Sequence, residues 1–158
     1  MQVCFIGHRS IIKSEELISL LRETITSLID KGAKTFLFGS MSEFSDLSWQ
    51  IVTELKNKYP FIKRVYVRSA FQYIDEDYEK YLLEFYEETY FPKKLENAGK
   101  CSYVERNYIM IDSSTYCIFY YNKNYSPPLE QRFSRNSGTK IAYNYAVKRN
   151  KSIINLYR

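Results

Sequence analysis

The chain opens with QVCFIGHRS, residues 2–10, and this stretch decides the fold. The run from Gln2 to Ile6 is mostly apolar, contains two β-branched residues and is halted by Gly7. Such a run is typical of a strand that is buried on both faces of a parallel sheet, where polar residues need not alternate with apolar ones. We therefore predict a buried first strand that is followed by a turn at Gly7-His8-Arg9.

A helix is predicted directly after this turn. Ser14 is a favourable N-cap, and Glu15 and Glu16 suit the positive end of a helix dipole. Apolar residues then repeat at helical spacing until Gly32. The same strand-then-helix pattern recurs along the chain. The further predicted strands cover 34–38, 62–67, 115–121 and 152–156, and the further predicted helices cover 44–55, 75–90, 103–112 and a segment opening at Gly138-Thr139.

Short apolar strands that alternate with amphipathic helices predict an α/β fold, a Rossmann-like parallel sheet of about five strands with helices on both faces. The 158 residues fit a single domain over 1–158. In such sheets ligands bind beyond the carboxyl ends of the strands, near the point where the strand order reverses. The polar segment 122–136 is either a connector or a lid over such a site.

The composition narrows the class of protein. The chain is 45% hydrophobic and 26% charged, which fits a globular protein rather than a disordered one or a coiled coil. The N-terminal apolar run is too short for a signal peptide, and no stretch approaches the about 20 apolar residues of a membrane span. We expect a cytoplasmic protein with no membrane partner. Sixteen Tyr and ten Phe suit half-buried contact surfaces, so we also expect a homo-oligomer.

Charge and cysteine usage limit the partners and cofactors. The net charge of +5 permits an anionic partner, but no basic run exceeds two residues, so nucleic acid is not favoured over a solvated surface. Cys4, Cys101 and Cys117 lie far apart in the sequence, which favours reduced thiols. No spacing of His, Cys and carboxylates is typical of a metal site, and no cofactor is predicted.

Small and functional residues follow the predicted strands or lie on helices beside them. Glycines there allow close backbone approach, hydroxyls donate hydrogen bonds and helix N-terminal amides attract anions, although a tight turn explains each glycine equally well. The candidate ligand-binding residues are Gly7, His8, Arg9, Gly39, Ser40, Met41, Asp46, Arg106, Asn107, Ser137, Gly138 and Thr139.

The charged candidates each have two interpretations. Arg9 suits a bidentate phosphate contact or a surface ion pair. His8 is either a donor to a ligand or a structural hydrogen-bonding group. Arg106 either faces the ligand or pairs with Asp112 or Glu105, and Asp46 either orients a loop or serves as an acid in the first turn of a helix.

Four segments follow one another along nearly the whole chain: CFIGHRS, GSMSEFSD, RNYIMID and the late turn at Ser137-Gly138-Thr139. Taken in order, they resemble the SLOG superfamily of Rossmann-like proteins, which includes the DNA-processing Smf proteins and the lonely-guy phosphoribohydrolases. The resemblance is closest to a small bacterial and phage branch. Where many relatives have glycine pairs, this chain has Gly39-Ser40 and Ser137-Gly138.

The resemblance implies a nucleotide pocket whose chemistry differs from that of the lonely-guy enzymes. In those enzymes a Glu in the late motif assists cleavage of an N-glycosidic bond, and the matching position here is Ala142. Arg106 matches their helix arginine. Without the carboxylate the site lacks a means of activating water, unless Glu43, Asp46 or Glu105 replaces it.

Three functions follow from these observations. We expect binding of a nucleotide or nucleotide-derived signal without turnover, as a sensor, or as a sponge if the gene is carried by a phage. The first alternative is a nucleotide N-glycosidic hydrolase similar to the lonely-guy enzymes. The second alternative is single-stranded DNA binding like that of the Smf branch, which only the basic balance and the abundant aromatic residues support.

Overall fold

The structure, a computed structural model, describes residues 1–69, 76–92, 100–125 and 137–158. In chain order its elements are β1 (Gln2–Gly7), α1 (Glu15–Asp30), β2 (Thr35–Phe38), α2 (Glu43–Leu55), β3 (Lys63–Val67), α3 (Glu76–Leu83), β4 (Glu88–Tyr90), α4 (Lys100–Ser113), β5 (Tyr116–Tyr120), α5 (Gly138–Lys148) and β6 (Ser152–Asn155).

The six strands form one sheet in the order β4-β3-β2-β1-β5-β6. Each pair of neighbours is parallel, so every return of the chain is a crossover. Strand β1 lies in the middle, with Cys4 opposite Leu37 of β2 on one side and opposite Cys117 of β5 on the other. The predicted parallel α/β sheet is confirmed, and its size is corrected from about five strands to six.

Strand β1 is buried on both faces. Val3 and Phe5 point into a core that is completed by α1 and α2, while Cys4 and Ile6 point into a second core that is completed by α4 and α5. This alternation follows from the two-residue period of a strand. The helices therefore cover both faces of the sheet, as the sequence predicts.

Both ends of α1 follow the predicted signals. The Ser14 hydroxyl accepts a hydrogen bond from the Leu17 amide at 3.1 Å, which caps α1. Gly32 follows the end of α1 with a φ of 107°, a conformation that side chains disfavour. The N-termini of α2 and α5 are capped in the same way by Ser42 and Ser137.

The helix that was predicted over 75–90 is wrong in its second half. Helix α3 ends at Leu83, and Glu88–Tyr90 forms β4 beside β3. The aromatic residues keep helical spacing as far as Tyr86, which hides the strand. A long-range ion pair holds the strand in place instead. The Glu87 carboxylate accepts from the Arg64 amide at 2.7 Å, from the Arg64 guanidinium at 2.9 and 3.1 Å, and from Lys56 at 3.1 Å.

Two of the cysteines that lie far apart in the sequence are neighbours in space. Cys4 and Cys117 face each other across β1 and β5, and both thiols are buried and free. They hydrogen-bond to each other, and this contact together with burial raises the pKa of Cys4. No helix in the described ranges is long and apolar enough to cross a membrane. Of the polar segment 122–136, residues 126–136 lie outside the described residues.

Replacing Glu87 by Gln should lower the free energy of unfolding by about 1–2 kcal/mol at pH 7. Burial alone would raise the pKa of Glu87, but hydrogen bonds from Arg64 and Lys56 outweigh it and lower the pKa from 4.5 to about 2. The depressed pKa stabilises the fold above pH 4.5, and this contribution is lost as the pH falls towards 2. Denaturant unfolding of both proteins between pH 7 and pH 3 measures the difference.

The matched control is Glu88→Gln, since Glu88 pairs with Lys63 through side chains that are more than half exposed. We expect that change to alter stability by less than about 0.5 kcal/mol. A deficit in the Glu87 variant that stays constant down to pH 3 would contradict the assignment.

Candidate functional site at the carboxyl edge of the sheet

The strand order reverses between β1 and β5, where the chain leaves β1 towards β2 but leaves β5 towards β6. In parallel α/β sheets this point opens a crevice at the carboxyl ends of the strands. The strand ends here are Gly7 and Tyr120, which are register partners. The predicted junctions after β1 and β2 thus lie along the same edge of the sheet.

His8 ties the two strands together at this point. Its side chain is 1% exposed, and its Nε2 accepts a hydrogen bond from the Asn122 amide at 2.9 Å. The imidazole stacks on Tyr125 with the ring centroids 3.9 Å apart. Burial lowers the pKa of His8 from 6.5 to about 4. The ring is therefore neutral at physiological pH.

Side chains of the protein fill the space beside the two strand-end glycines, Gly7 and Gly39. A Cβ on Gly7 would lie 2.4 Å from the Phe44 ring, and one on Gly39 would lie 2.8 Å from Met110 Sδ and 2.9 Å from Arg106 Cδ. Both glycines allow close internal packing. Gly138 differs, since a Cβ there would have no atom within 4 Å.

Polar groups at the start of α2 hydrogen-bond to neighbouring groups of the protein. The Glu43 amide donates to the Arg9 carbonyl at 2.9 Å, and the Glu43 carboxylate accepts from the Ile11 amide at 2.7 Å. Ser42 Oγ accepts from the Ser45 amide at 3.1 Å. The Ser40 hydroxyl contacts those of Ser42 and Ser45 at 3.2 and 2.7 Å. These contacts satisfy amides that an anion would otherwise use.

Arg106 of α4 packs against Gly39, the residue that follows β2. It is 3% exposed, and its Nη1 donates to the Gly39 carbonyl. The Asn107 Oδ1 accepts longer contacts of 3.3 and 3.4 Å from Nη2 and Nε, and the guanidinium lies over the Tyr103 ring. Burial lowers the pKa of Arg106. No carboxylate pairs with it among the residues that the structure describes.

The remaining candidates differ in accessibility. Met41 is 88% exposed, and Arg9 and Asp46 are also exposed. Burial raises the pKa of Asp46, with Lys13 acting in the opposite direction. The loop amide of Ile11 donates its hydrogen bond to the Glu43 carboxylate rather than to that of Asp46. Asp112 pairs with Arg149 at 3.0 Å, so it is not the partner of Arg106.

The last group of candidates lies at the start of α5. Ser137 is half-buried and caps the helix by accepting from the Lys140 amide at 3.1 Å. Thr139 is buried, and Ala142, one turn further along, packs into the core with Ile6 and Phe119. Ala142 therefore belongs to the face of α5 that packs on the sheet.

Sequence reasoning missed three residues at this edge. Tyr66 of β3 lies near Arg106, and burial raises its pKa. Arg68 follows β3, and its buried Nε has no hydrogen-bond partner among the described residues. Tyr125 stacks on His8, and its buried hydroxyl likewise has no partner in that part of the chain. Arg68 directly follows a predicted strand, as the candidates after β1 and β2 do. Its position in the sequence could therefore have identified it.

The strand order, the parallel pairing and the helices on both faces define a Rossmann-like α/β protein. A solved structure with this fold is that of DNA processing protein A from Helicobacter pylori, which is described with a unique single-stranded DNA binding mode. The likeness has a TM-score of 0.57 at 18% sequence identity and covers 97% of this chain but 63% of that one. This chain thus spans less than two thirds of that protein's length, and the likeness extends to the fold.

Comparisons of the sequence with protein families and with curated proteins found no match. The resemblance to the branch that carries the GHR turn therefore stays a prediction.

Acid titration should reveal the neutral state of His8. Because its folded pKa is depressed, the unfolded chain binds a proton that the folded chain does not between pH 6.5 and about 4, so stability falls as the pH drops through this window. We expect a loss of up to about 3 kcal/mol. Unfolding measured at half-unit pH steps should show this slope in the natural chain and not in His8→Gln. Equal slopes would contradict the assignment.

The packing of the glycines predicts opposite effects for two matched substitutions. Gly7→Ala should lower the free energy of unfolding by about 1–3 kcal/mol, because Phe44 cannot move away without disturbing the core. Gly138→Ala should leave stability equal or raise it by about 0.5–1 kcal/mol, since it fills open space at a helical position. Thermal unfolding of the two variants compares them directly, and similar losses would refute the distinction.

Proposed function

We propose that the chain binds a nucleotide or nucleotide-derived ligand at the carboxyl edge of its sheet, without turning it over. The observation that carries this proposal is Arg106, a buried guanidinium with no carboxylate partner among the described residues. A buried cation without a counter-ion is unfavourable. A phosphate would supply the missing charge, and its oxygens match the planar donor fork of arginine.

The surroundings of Arg106 suit a phosphate. The guanidinium has five N–H donors, and its acceptors among the described residues are the Gly39 carbonyl and the Asn107 side chain, the latter at long distances. The groups that influence its pKa besides burial are the hydroxyls of Tyr66, Tyr103 and Tyr78. Arg68 and Arg9 lie along the same edge and form no ion pair within the described ranges.

Two observations on the expected and available carboxylates support binding without turnover. Ala142 packs in the core where the lonely-guy enzymes have Glu, and the Glu43 carboxylate is engaged by the Ile11 amide. We therefore propose a sensor, or a sponge for a nucleotide signal if the gene is carried by a phage. Homo-oligomerisation stays a prediction.

Two alternatives each have an observation in their favour. Asp46 has a raised pKa, as a general acid or base would, so an N-glycosidic hydrolase would use it. The structural neighbour binds single-stranded DNA, and several aromatic side chains are exposed here, including Tyr90 and Phe91 beside the edge. Release of free base would identify the first, and tight, salt-sensitive oligonucleotide binding without a small-molecule effect would identify the second.

Arg106→Gln should remove the response to phosphate ligands while it keeps a donor for the Gly39 carbonyl. We expect thermal unfolding of the natural chain to shift upwards with a panel of nucleoside monophosphates, cyclic nucleotides and ADP-ribose. The variant should lose this shift but retain its unliganded stability to within about 1 kcal/mol, since the unpaired buried charge is gone.

The control is Arg149→Gln. Arg149 is exposed, lies at the C-terminal end of α5 and pairs with Asp112 of α4. It should respond to ligands as the natural chain does. A ligand shift that is unchanged in Arg106→Gln would refute the assigned site.

A further inference from the structure

The carboxyl edge at β1 and β5 holds a second polar feature, which the Arg106 site does not use. His8 Nδ1 and Tyr125 Oη are both buried without a hydrogen-bond partner in the described part of the chain. They belong to two rings that stack 3.9 Å apart with an interplanar angle of 12°. Buried polar atoms in native proteins are nearly always hydrogen-bonded, so two such atoms on stacked rings mark a candidate place for a bound group.

The hydrogen bond on the other nitrogen of His8 fixes what Nδ1 can do. Because Nε2 accepts the Asn122 amide at 2.9 Å, the neutral imidazole carries its proton on Nδ1. Nδ1 is therefore a donor that requires an acceptor. The Tyr125 hydroxyl can both donate and accept. Three uncharged rings pack near the imidazole, those of Tyr120, Tyr121 and Tyr125.

The shape of this place favours a planar ligand group. The Tyr120 and Tyr121 rings lie 6.4 and 5.9 Å from the imidazole, and Tyr121 packs against Tyr143 at 4.6 Å. Aromatic walls with a few polar atoms are typical of sites for flat, partly apolar groups. An uncharged donor beside such walls suits the carbonyl or ring nitrogen of a heterocycle better than a phosphate.

Its position relative to Arg106 suits one molecule that spans both places. Arg106 contacts the carboxyl end of β2 at Gly39, and His8 follows the end of β1, the neighbouring strand. Neighbouring strands lie about 4.8 Å apart, so the two places are next to each other along the carboxyl edge of the sheet.

We propose that His8 and Tyr125 form a base subsite, in which Nδ1–H and the tyrosine hydroxyl hydrogen-bond to the edge of a nucleobase. The subsite rests on the proposed function for the location of the phosphate at Arg106. It extends that function, because it assigns the discrimination between bases to an uncharged pair and the affinity for phosphate to the arginine.

Two conservative variants separate this role from a structural one. His8→Gln keeps an acceptor where Nε2 meets the Asn122 amide and removes the Nδ1 donor. Tyr125→Phe keeps the stacked ring and removes the hydroxyl. Each should weaken binding of at least one of AMP, GMP, CMP and UMP by about fivefold, and should leave the affinity for ribose 5-phosphate unchanged. Tyr81→Phe, at an exposed tyrosine of α3, is the control and should bind every probe as the natural chain does.

Because the chain has one histidine, its nitrogen signals in a 15N spectrum need no assignment. The preferred monophosphate and its nucleoside should move the Nδ1 signal of the natural chain, and ribose 5-phosphate should not. Monophosphate binding that is unchanged in both variants would overturn the subsite and leave Arg106 intact. If nucleosides move the signal while ribose 5-phosphate fails to bind, the phosphate site is wrong and the base subsite stands. If no probe binds, both proposals fail.

Discussion

The two-sided burial of β1 is the constraint on which the remaining structure depends. This strand pairs along both edges and packs against helices on both faces, so each of its residues has neighbours that cannot move independently. The strand order reverses beside it, so residues that follow Gly7 emerge at the crevice. The Arg9 carbonyl holds the start of α2, and His8 holds the Asn122 amide after β5. A few residues thus connect both halves of the sheet.

The same burial acts differently on the two basic side chains near this edge. It lowers the pKa of both His8 and Arg106. The imidazole begins near 6.5 and becomes neutral, whereas a guanidinium begins so high that it stays charged. The edge therefore offers an uncharged donor beside β1 and a cation beside β2. A ligand that satisfies both must itself carry an uncharged acceptor and an anionic group a short distance apart.

The sequence was sufficient for features that depend on neighbouring residues. The cap at Ser14, the end of α1 at Gly32 and the buried first strand all depend on local chemistry. The predicted junctions share one edge because parallel strands end on the same side. Strand β4 was missed since the contact between Glu87 and Arg64 spans 23 residues, and the pairing of Cys4 with Cys117 spans more. Likewise, nothing near Gly7 in the sequence reveals that Phe44 fills the space above it.

The contact between Gly7 and Phe44 also has an evolutionary consequence. With the Phe44 ring 2.4 Å from where a Cβ would stand, a larger residue at position 7 becomes acceptable only after position 44 has become smaller. The two positions are then free to change as a pair but not singly, although one ends a strand and the other begins a helix. Lineages descended from a common ancestor would keep either the small-large combination or its reverse, and intermediates would be rare.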